Sequence, residues 1–380
     1  MGVGSKITKI MKNTDYVLLI LLLFLLCIGL VVLDSASVAA NTRYNTNHVL
    51  RQVGAALLGF AAIAVLQFFD LSRLAYFERP AYILMNLMLA FVLFFGVGAK
   101  GMQGWIAVGS QRIQPAEAAK IILIFCFARF LADRKGRLQT WGQILPALLY
   151  AGIPLVLVLA QPDLGTALVF FAIIFGMLLA AGASLWKLCL LFGTGVGSVV
   201  LWIYGHMTRG WWLPLKEYQL MRLVVFVNPE FDPRNWGWNL IQAQITVGSG
   251  GLWGQGWKQG AQTASGYLPE QWTDFIFCVL GEEFGFIGCF VTLLLFFVIL
   301  IRCLTIAGRS KDLFGAYLVA GVVSLMVFHL LQNVGMVVGI MPITGIPLPF
   351  ISYGGSAMLA NMAAMGMVNN IYVYRQVQPF

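Results

Sequence analysis

Apolar windows, each close to the roughly 20 residues a helix needs to cross a bilayer, follow one another along the chain with short polar turns between them. Charge-free windows run from Tyr16 to Leu33, Gln52 to Phe69, Pro80 to Ala99, Leu138 to Pro162, Leu164 to Trp186, Leu188 to Thr208 and Phe284 to Ile301. The stretch from Leu313 to Tyr374 carries no charge and is long enough for two spans. Pro342, Pro347 and Pro349 with Gly345, Gly354 and Gly355 mark the break between those two. One further window, Pro115 to Ala132, carries Glu117, Lys120 and Arg129, yet it has to cross if the other spans are to keep a consistent orientation. The pattern predicts an all-α polytopic membrane protein, a single domain over 1–380 with about ten transmembrane helices. These fall at 16–36, 50–70, 79–99, 115–132, 141–161, 163–186, 187–207, 273–303, 313–341 and 350–375. The one long polar interruption, 207–273, becomes a large loop between spans 7 and 8.

With the N-terminus in the cytoplasm, most of the 24 Lys and Arg fall in short inner loops and tails, as the positive-inside rule requires. Both termini are then cytoplasmic and the long loop faces outward. No tandem repeat interrupts this picture. The first apolar run is too long for the core of a cleavable signal peptide, so no cleavage is expected.

Composition narrows the classes. The chain is 60% hydrophobic and 10% charged, far from the roughly 25% charge of soluble domains. Its net charge of +9 is scattered between apolar runs rather than gathered into a stripe, which argues against nucleic acid. The six cysteines lie in or beside apolar runs with no CxxC pair, and His48, His206 and His329 are far apart. The cysteines read as small hydrophobes, and nothing in this pattern points to a metal.

Ionisable residues inside spans are costly and mark function or pairing. Glu117 and Lys120 are three apart on one helix face, which suits a structural ion pair or, for Lys120 with Arg112 nearby, an anion site. Asp163 stands in a short outer turn where it can cap the next helix or orient a cation beside Lys120. Arg51 is either an interfacial anchor or a phosphate ligand. The long loop carries Trp211, Trp212, Trp236, Trp238, Trp253 and Trp257, residues that favour the headgroup region. Its glycine run, 248–256, reads as backbone that packs closely or bends. At the loop's exit, Asp274 sits where the chain turns apolar again. A carboxylate there serves the dipole of the helix that starts with it, or it is a reactive group at a water–lipid boundary.

Taken together, these motifs resemble the shape, elongation, division and sporulation (SEDS) family, the RodA and FtsW group, along essentially the whole chain. The resemblance is carried by Gln114-Pro115-Ala116-Glu117-Ala118-Ala119-Lys120, Gln161-Pro162-Asp163-Leu164-Gly165-Thr166 and the glycine run from Gly248 to Gly256. Leu268-Pro269-Glu270 with Thr273-Asp274-Phe275-Ile276-Phe277, and Pro347-Leu348-Pro349-Phe350-Ile351-Ser352-Tyr353-Gly354-Gly355-Ser356, complete it in the family's order. The resemblance implies a peptidoglycan glycosyltransferase of the bacterial cytoplasmic membrane that polymerises lipid II into a nascent glycan strand. It implies Asp274 as the catalytic carboxylate, with Glu270 and Thr273 supporting it. Lys120, Arg51, Glu117 and Asp163 are implied as residues of the substrate and pyrophosphate cavity, and Arg112, just before the helix, joins Lys120 and Arg51 as a candidate pyrophosphate ligand. Within the family, the N-terminus and the 352–357 ending look more like the elongation branch than the division branch. The implied partners are a class B penicillin-binding transpeptidase and other membrane proteins of an elongation complex, with no nucleic acid. No cofactor is certain, and a divalent cation, magnesium or manganese, is a candidate.

Two positions depart from the family pattern. Trp272 stands where a histidine is often found, and Gly104 where an arginine is often found, which shifts phosphate duty toward Lys100 or Arg112. The expected chemistry is an inverting transfer with Asp274 as general base. A flippase for the lipid-linked precursor, or a non-catalytic scaffold for the transpeptidase, are the competing readings.

Overall fold

A computed structural model describes residues 3–38, 45–99, 102–108, 111–135, 138–212 and 216–375. It opens with helix α1 (Val3–Asn13) and, after a two-residue elbow, α2 (Tyr16–Val38). Asp15 fixes that elbow. Its carboxylate accepts the Leu18 N–H (3.1 Å) and pairs with Arg302 Nε (2.8 Å), while its own N–H donates to Asn369 Oδ1 (2.9 Å). Helix α3 (Asn45–Leu66) follows, then the short α4 (Leu71–Leu74), capped by Asp70 through the Ser72 N–H, which leads into α5 (Glu78–Phe95).

The chain then departs from expectation. Residues 97–99, placed in a span by their apolarity, instead form strand β1 (Val97–Ala99), which pairs antiparallel with β2 (Met102–Val108), itself paired with β3 (Gln111–Ile113). Gly96 is the cause, adopting an extended conformation (φ −68°, ψ 142°) that ends α5. Pro115 at the first turn then opens α6 (Pro115–Asp133), where its missing N–H costs no hydrogen bond. Helices α7 (Trp141–Leu159), α8 (Leu164–Ala180) and α9 (Leu185–Arg209) complete the first part.

Beyond them the long polar stretch holds α10 (Glu217–Val227), α11 (Trp238–Ser249) and α12 (Ala261–Ser265). The chain re-enters the apolar region as α13 (Ile276–Gly308), followed by α14 (Leu313–Val338) and α15 (Gly355–Val373). Each of the ten expected windows overlaps a helix. Among the described residues, seven helices are long and apolar enough to cross a membrane. The first-turn assignment for Asp274 is corrected: α13 begins at Ile276, and Asp274 belongs to the turn before it.

At the centre of the bundle, α14 is packed against α6, α8 and α13, while α3 lies along α15 and α2 against α13. The core is their interdigitated Leu, Ile, Phe and Met side chains. Helix α9 is peripheral. It packs on α8, and every residue from 189 to 202 is exposed.

The glycine run has a specific task. Helix α13 is broken at Gly285 (φ 65°, ψ −165°), a conformation essentially reserved to glycine. The loop supplies the hydrogen bonds that the break removes. Gln255 N–H donates to Glu282 O (2.9 Å) and Gly256 N–H to Glu283 O (3.0 Å), while Phe286 N–H donates to Gly251 O (2.9 Å). A Cβ on Gly254 would lie 2.1 Å from Glu283 O, and one on Gly285 would lie 2.3 Å from Gly254 N. Glu282 adds a carboxylate clamp, accepting the N–H groups of Gln262 (2.7 Å) and Thr263 (2.9 Å) at the start of α12. Gly285→Ala is therefore expected to lower the thermal unfolding midpoint in detergent by the equivalent of about 1–3 kcal/mol of strain or more. An unchanged midpoint would mean the clasp is not rigid.

Candidate functional site

The turn 268–275 builds the site from one side. Leu268 is buried and anchors it, Glu270 takes a left-handed conformation (φ 55°), and Thr273 and Phe275 both return their N–H groups to Glu270 O (3.1 and 3.4 Å). Thr273 Oγ1 also donates to Glu270 Oε2 (3.1 Å). This tight reversal leaves Asp274 half-buried at the head of α13.

The other side is the non-helical segment 339–354, which the prolines and glycines keep out of both α14 and α15. Hydrogen bonds from several parts of the chain fix it. Gln332 Nε2 donates to Pro342 O (2.8 Å), and Asn333 Nδ2 donates both to Ile346 O (2.8 Å) and to the carbonyl of Asp274 itself (2.9 Å). Ser352 Oγ donates to Thr273 O (2.6 Å) and accepts from Leu348 N–H (2.8 Å), and Tyr353 N–H donates to Trp272 O (2.9 Å). From α3, Gln52 grips the segment with both ends of its amide, at Ser352 O (2.9 Å) and Gly354 N (3.2 Å). Gly345 (φ 74°) then lies directly against the catalytic candidate: a Cβ there would stand 3.2 Å from Asp274 Oδ2. Gly345→Ala is expected to displace that carboxylate and cut turnover about tenfold or more, since small misplacements of a reacting group are costly. Steady-state kinetics at saturating substrate checks it; unchanged turnover would argue that the carboxylate tolerates the methyl.

Glu117 and Lys120 form the second layer. Lys120 Nζ reaches both carboxylate oxygens of Glu117 at 2.9 Å, and the lysine side chain is 2% exposed. Its remaining direction points at His329 Nε2, 3.4 Å away, and His329 Nδ1 meets Pro347 O at 3.1 Å. Through His329 the ion pair is therefore linked to the same segment that touches Asp274.

The other expected site residues sit differently. Asp163 caps α8: Oδ1 accepts the Thr166 N–H (2.9 Å), and Oδ2 accepts Thr166 Oγ1 (2.8 Å) and Gln114 Nε2 (3.2 Å). Two residues on, Gly165 packs on Thr344 O, so α8 also backs the 339–354 segment. Arg51 is exposed near the start of α3, and its charge and that of Glu270 both bear on the His48 ring. The His48 ring packs at a tilt against Tyr353 (4.6 Å) and Trp272 (5.7 Å). The side chain of Arg112, and Lys100 altogether, lie outside the described residues.

His48, Gln52, His329, Asn333 and Ser352 were not singled out from sequence as site residues. His329 and Asn333, four apart in an apolar span, share a face of α14, and polar residues so placed were the available signal. Among the described residues no three His, Cys, Asp or Glu side chains are grouped to bind a metal ion.

Comparison with known proteins adds a second line. A sequence profile described as cell cycle protein, covering FtsW, RodA and SpoVE, matches residues 16–377. The peptidoglycan glycosyltransferase MrdB of Escherichia coli K12 is 34% identical over 365 residues, spanning 96% of this chain and 95% of its own. Among solved structures, a chain of a peptidoglycan synthase complex that coordinates polymerization and crosslinking superposes with a TM-score of 0.79 at 29% identity, covering 95% of this chain and 98% of that one. The rod shape determining protein RodA of Thermus thermophilus superposes with a TM-score of 0.69 at 28% identity, covering 96% and 98%.

Proposed function

The chain belongs to the FtsW, RodA and SpoVE family of cell cycle proteins and is a membrane-embedded peptidoglycan glycosyltransferase, and from this premise we propose that Asp274 is its general base. The observation that carries the proposal is the seating of Asp274. Its backbone is clamped by Asn333 and, through Thr273, by Ser352, while its side chain remains half-exposed where the outer loop meets the bundle.

The acceptor sugar of lipid II offers a hydroxyl that becomes a competent nucleophile only as its proton is taken. Asp274 accepts that proton as the hydroxyl oxygen attacks the anomeric carbon of the donor strand. The bond to the lipid diphosphate breaks on the opposite face, inverting the centre. The diphosphate leaves as an anion and needs no proton, so one carboxylate suffices, unlike the pair in a glycosidase. Its charge calls for fixed cations. Arg51 and Arg112 are the proposed ligands. Lys120, paired with Glu117 and facing His329, contributes its positive field, and Asp163 sets the start of α8. Glu270 and Thr273 shape the turn that carries the base.

In this reading the polyprenyl tails lie between helices at the bundle's flank. The protein sits in the bacterial cytoplasmic membrane with both termini inside. It acts with a class B transpeptidase and other membrane proteins of an elongation complex. The test is polymerisation of lipid II by the purified chain, with and without its transpeptidase, beside Asp274→Asn. Glycan polymer from wild type alone of the pair supports the assignment. Polymer from both removes Asp274 from the role of base, and lipid II translocation across vesicles without polymer replaces the enzyme with a flippase.

A further inference from the structure

His329 is fully buried in the middle of α14, a helix that carries no charge of its own. Its two ring nitrogens face groups of opposite character. A proline carbonyl can only accept, so Nδ1, 3.1 Å from Pro347 O, carries the hydrogen. A lysine ammonium can only donate, so Nε2, 3.4 Å from Lys120 Nζ, presents its lone pair. The neighbours thus fix one neutral tautomer, and the ring becomes a rigid strut between a buried ion pair and a stretch of non-helical backbone.

That backbone lies against the proposed base. Pro347 is two residues from Gly345, whose Cα faces Asp274 Oδ2, and Ile346 between them is held by Asn333, one helical turn beyond His329 on the same face of α14. Asn333 also holds the Asp274 carbonyl. Two side chains of one helix therefore set the distance between the carboxylate and the backbone beside it. Since this segment lacks a hydrogen-bond ladder of its own, its position depends on such ties.

We propose that His329 is a positioning residue for the transfer reaction: its bond to the Pro347 carbonyl holds residues 345–347 in register with the Asp274 carboxylate, and its other nitrogen secures the ring on the Lys120–Glu117 pair. This rests on Asp274 being the base. The two arms can be separated chemically. An asparagine side chain places its amide near the Nδ1 position, and a glutamine places its amide near Nε2. His329→Asn keeps a donor for Pro347 O and gives up Lys120; His329→Gln keeps an acceptor for Lys120 and gives up Pro347.

The experiment compares wild type, both variants and Asp274→Asn, each as the full chain with its transpeptidase, in lipid II polymerisation and thermal unfolding. His329→Gln is expected to lower kcat by roughly a hundredfold, the scale of a displacement near one ångström, with KM for lipid II nearly unchanged. His329→Asn is expected to stay within about tenfold of wild-type kcat, the smaller change that a retained tie allows. A structural role alone would instead lower both unfolding midpoints and both activities together, and that result overturns the proposal. So does wild-type kcat in His329→Gln. If His329→Gln does not fold, His329→Asn decides alone, because a folded but inactive asparagine variant contradicts the role of the Pro347 tie. Activity in Asp274→Asn would sink the base assignment itself, whereas an inactive Asp274→Asn beside a fully active His329→Gln would sink only the strut.

Discussion

Asp274→Asn is expected to lower the rate of lipid II polymerisation by about a thousandfold, the middle of the range for loss of a positioned general base. The substitution is nearly isosteric. It leaves the Asn333 side-chain bond, which meets only the backbone carbonyl of residue 274, and the Ser352 bond to Thr273 O. Folding and lipid II binding should therefore survive, and KM should move little while kcat collapses. Steady-state kinetics together with a direct binding measurement make the check. An amide cannot accept the proton at neutral pH, so a variant with more than a tenth of wild-type kcat would exclude proton removal by this residue as an important term.

The second large effect concerns stability. Lys120→Met leaves the Glu117 carboxylate buried with its cation gone, and breaking a buried pair from one side costs about 3–5 kcal/mol. Glu117 is 5% exposed, so water offers little compensation. Unfolding followed in detergent should show a midpoint many degrees below wild type. Adding Glu117→Gln to the same chain removes the stranded charge and should recover most of the loss. If the double variant is no more stable than Lys120→Met, the deficit comes from lost packing around the lysine stem instead. A buried pair of this kind is weak evidence for net stability. Its retention beside His329 points to geometry as its contribution.

These expectations divide according to what a linear pattern can carry. The helices were legible because burial in lipid demands long apolar windows, and the ion pair was legible as Glu117 and Lys120 at helical spacing. Asp274 stood out as a carboxylate at a polar-to-apolar boundary. The three strands at 97–113 were hidden because an apolar Gly-Val-Gly stretch reads as the tail of a span until the backbone at Gly96 is known. The glycine run was recognised as close-packed backbone, but its target, a helix break at Gly285, lies about thirty residues away and is set by pairing that no local pattern encodes. The wall of the site was hidden for the same reason: Gln52, Asn333 and Ser352 gain meaning only from carbonyls that other segments present to them. Asp163 shows the converse case. Its capping role was legible, and its carboxylate accepts both the N–H and the hydroxyl of Thr166 at the start of α8.

The wall has a consequence for how the protein is made. Asp274 leaves the ribosome some sixty residues ahead of Asn333 and about eighty ahead of Ser352, while Gln52, which locks the last piece, has by then long been in the membrane. Membrane chains are synthesised and folded from the N-terminus onward. A nascent chain therefore carries its proposed base without the surface that aims it, and acquires that surface only when the final hairpin of helices docks. Synthesis itself thus withholds activity from every unfinished copy, and a chain that stops short of α15 is inert rather than unregulated.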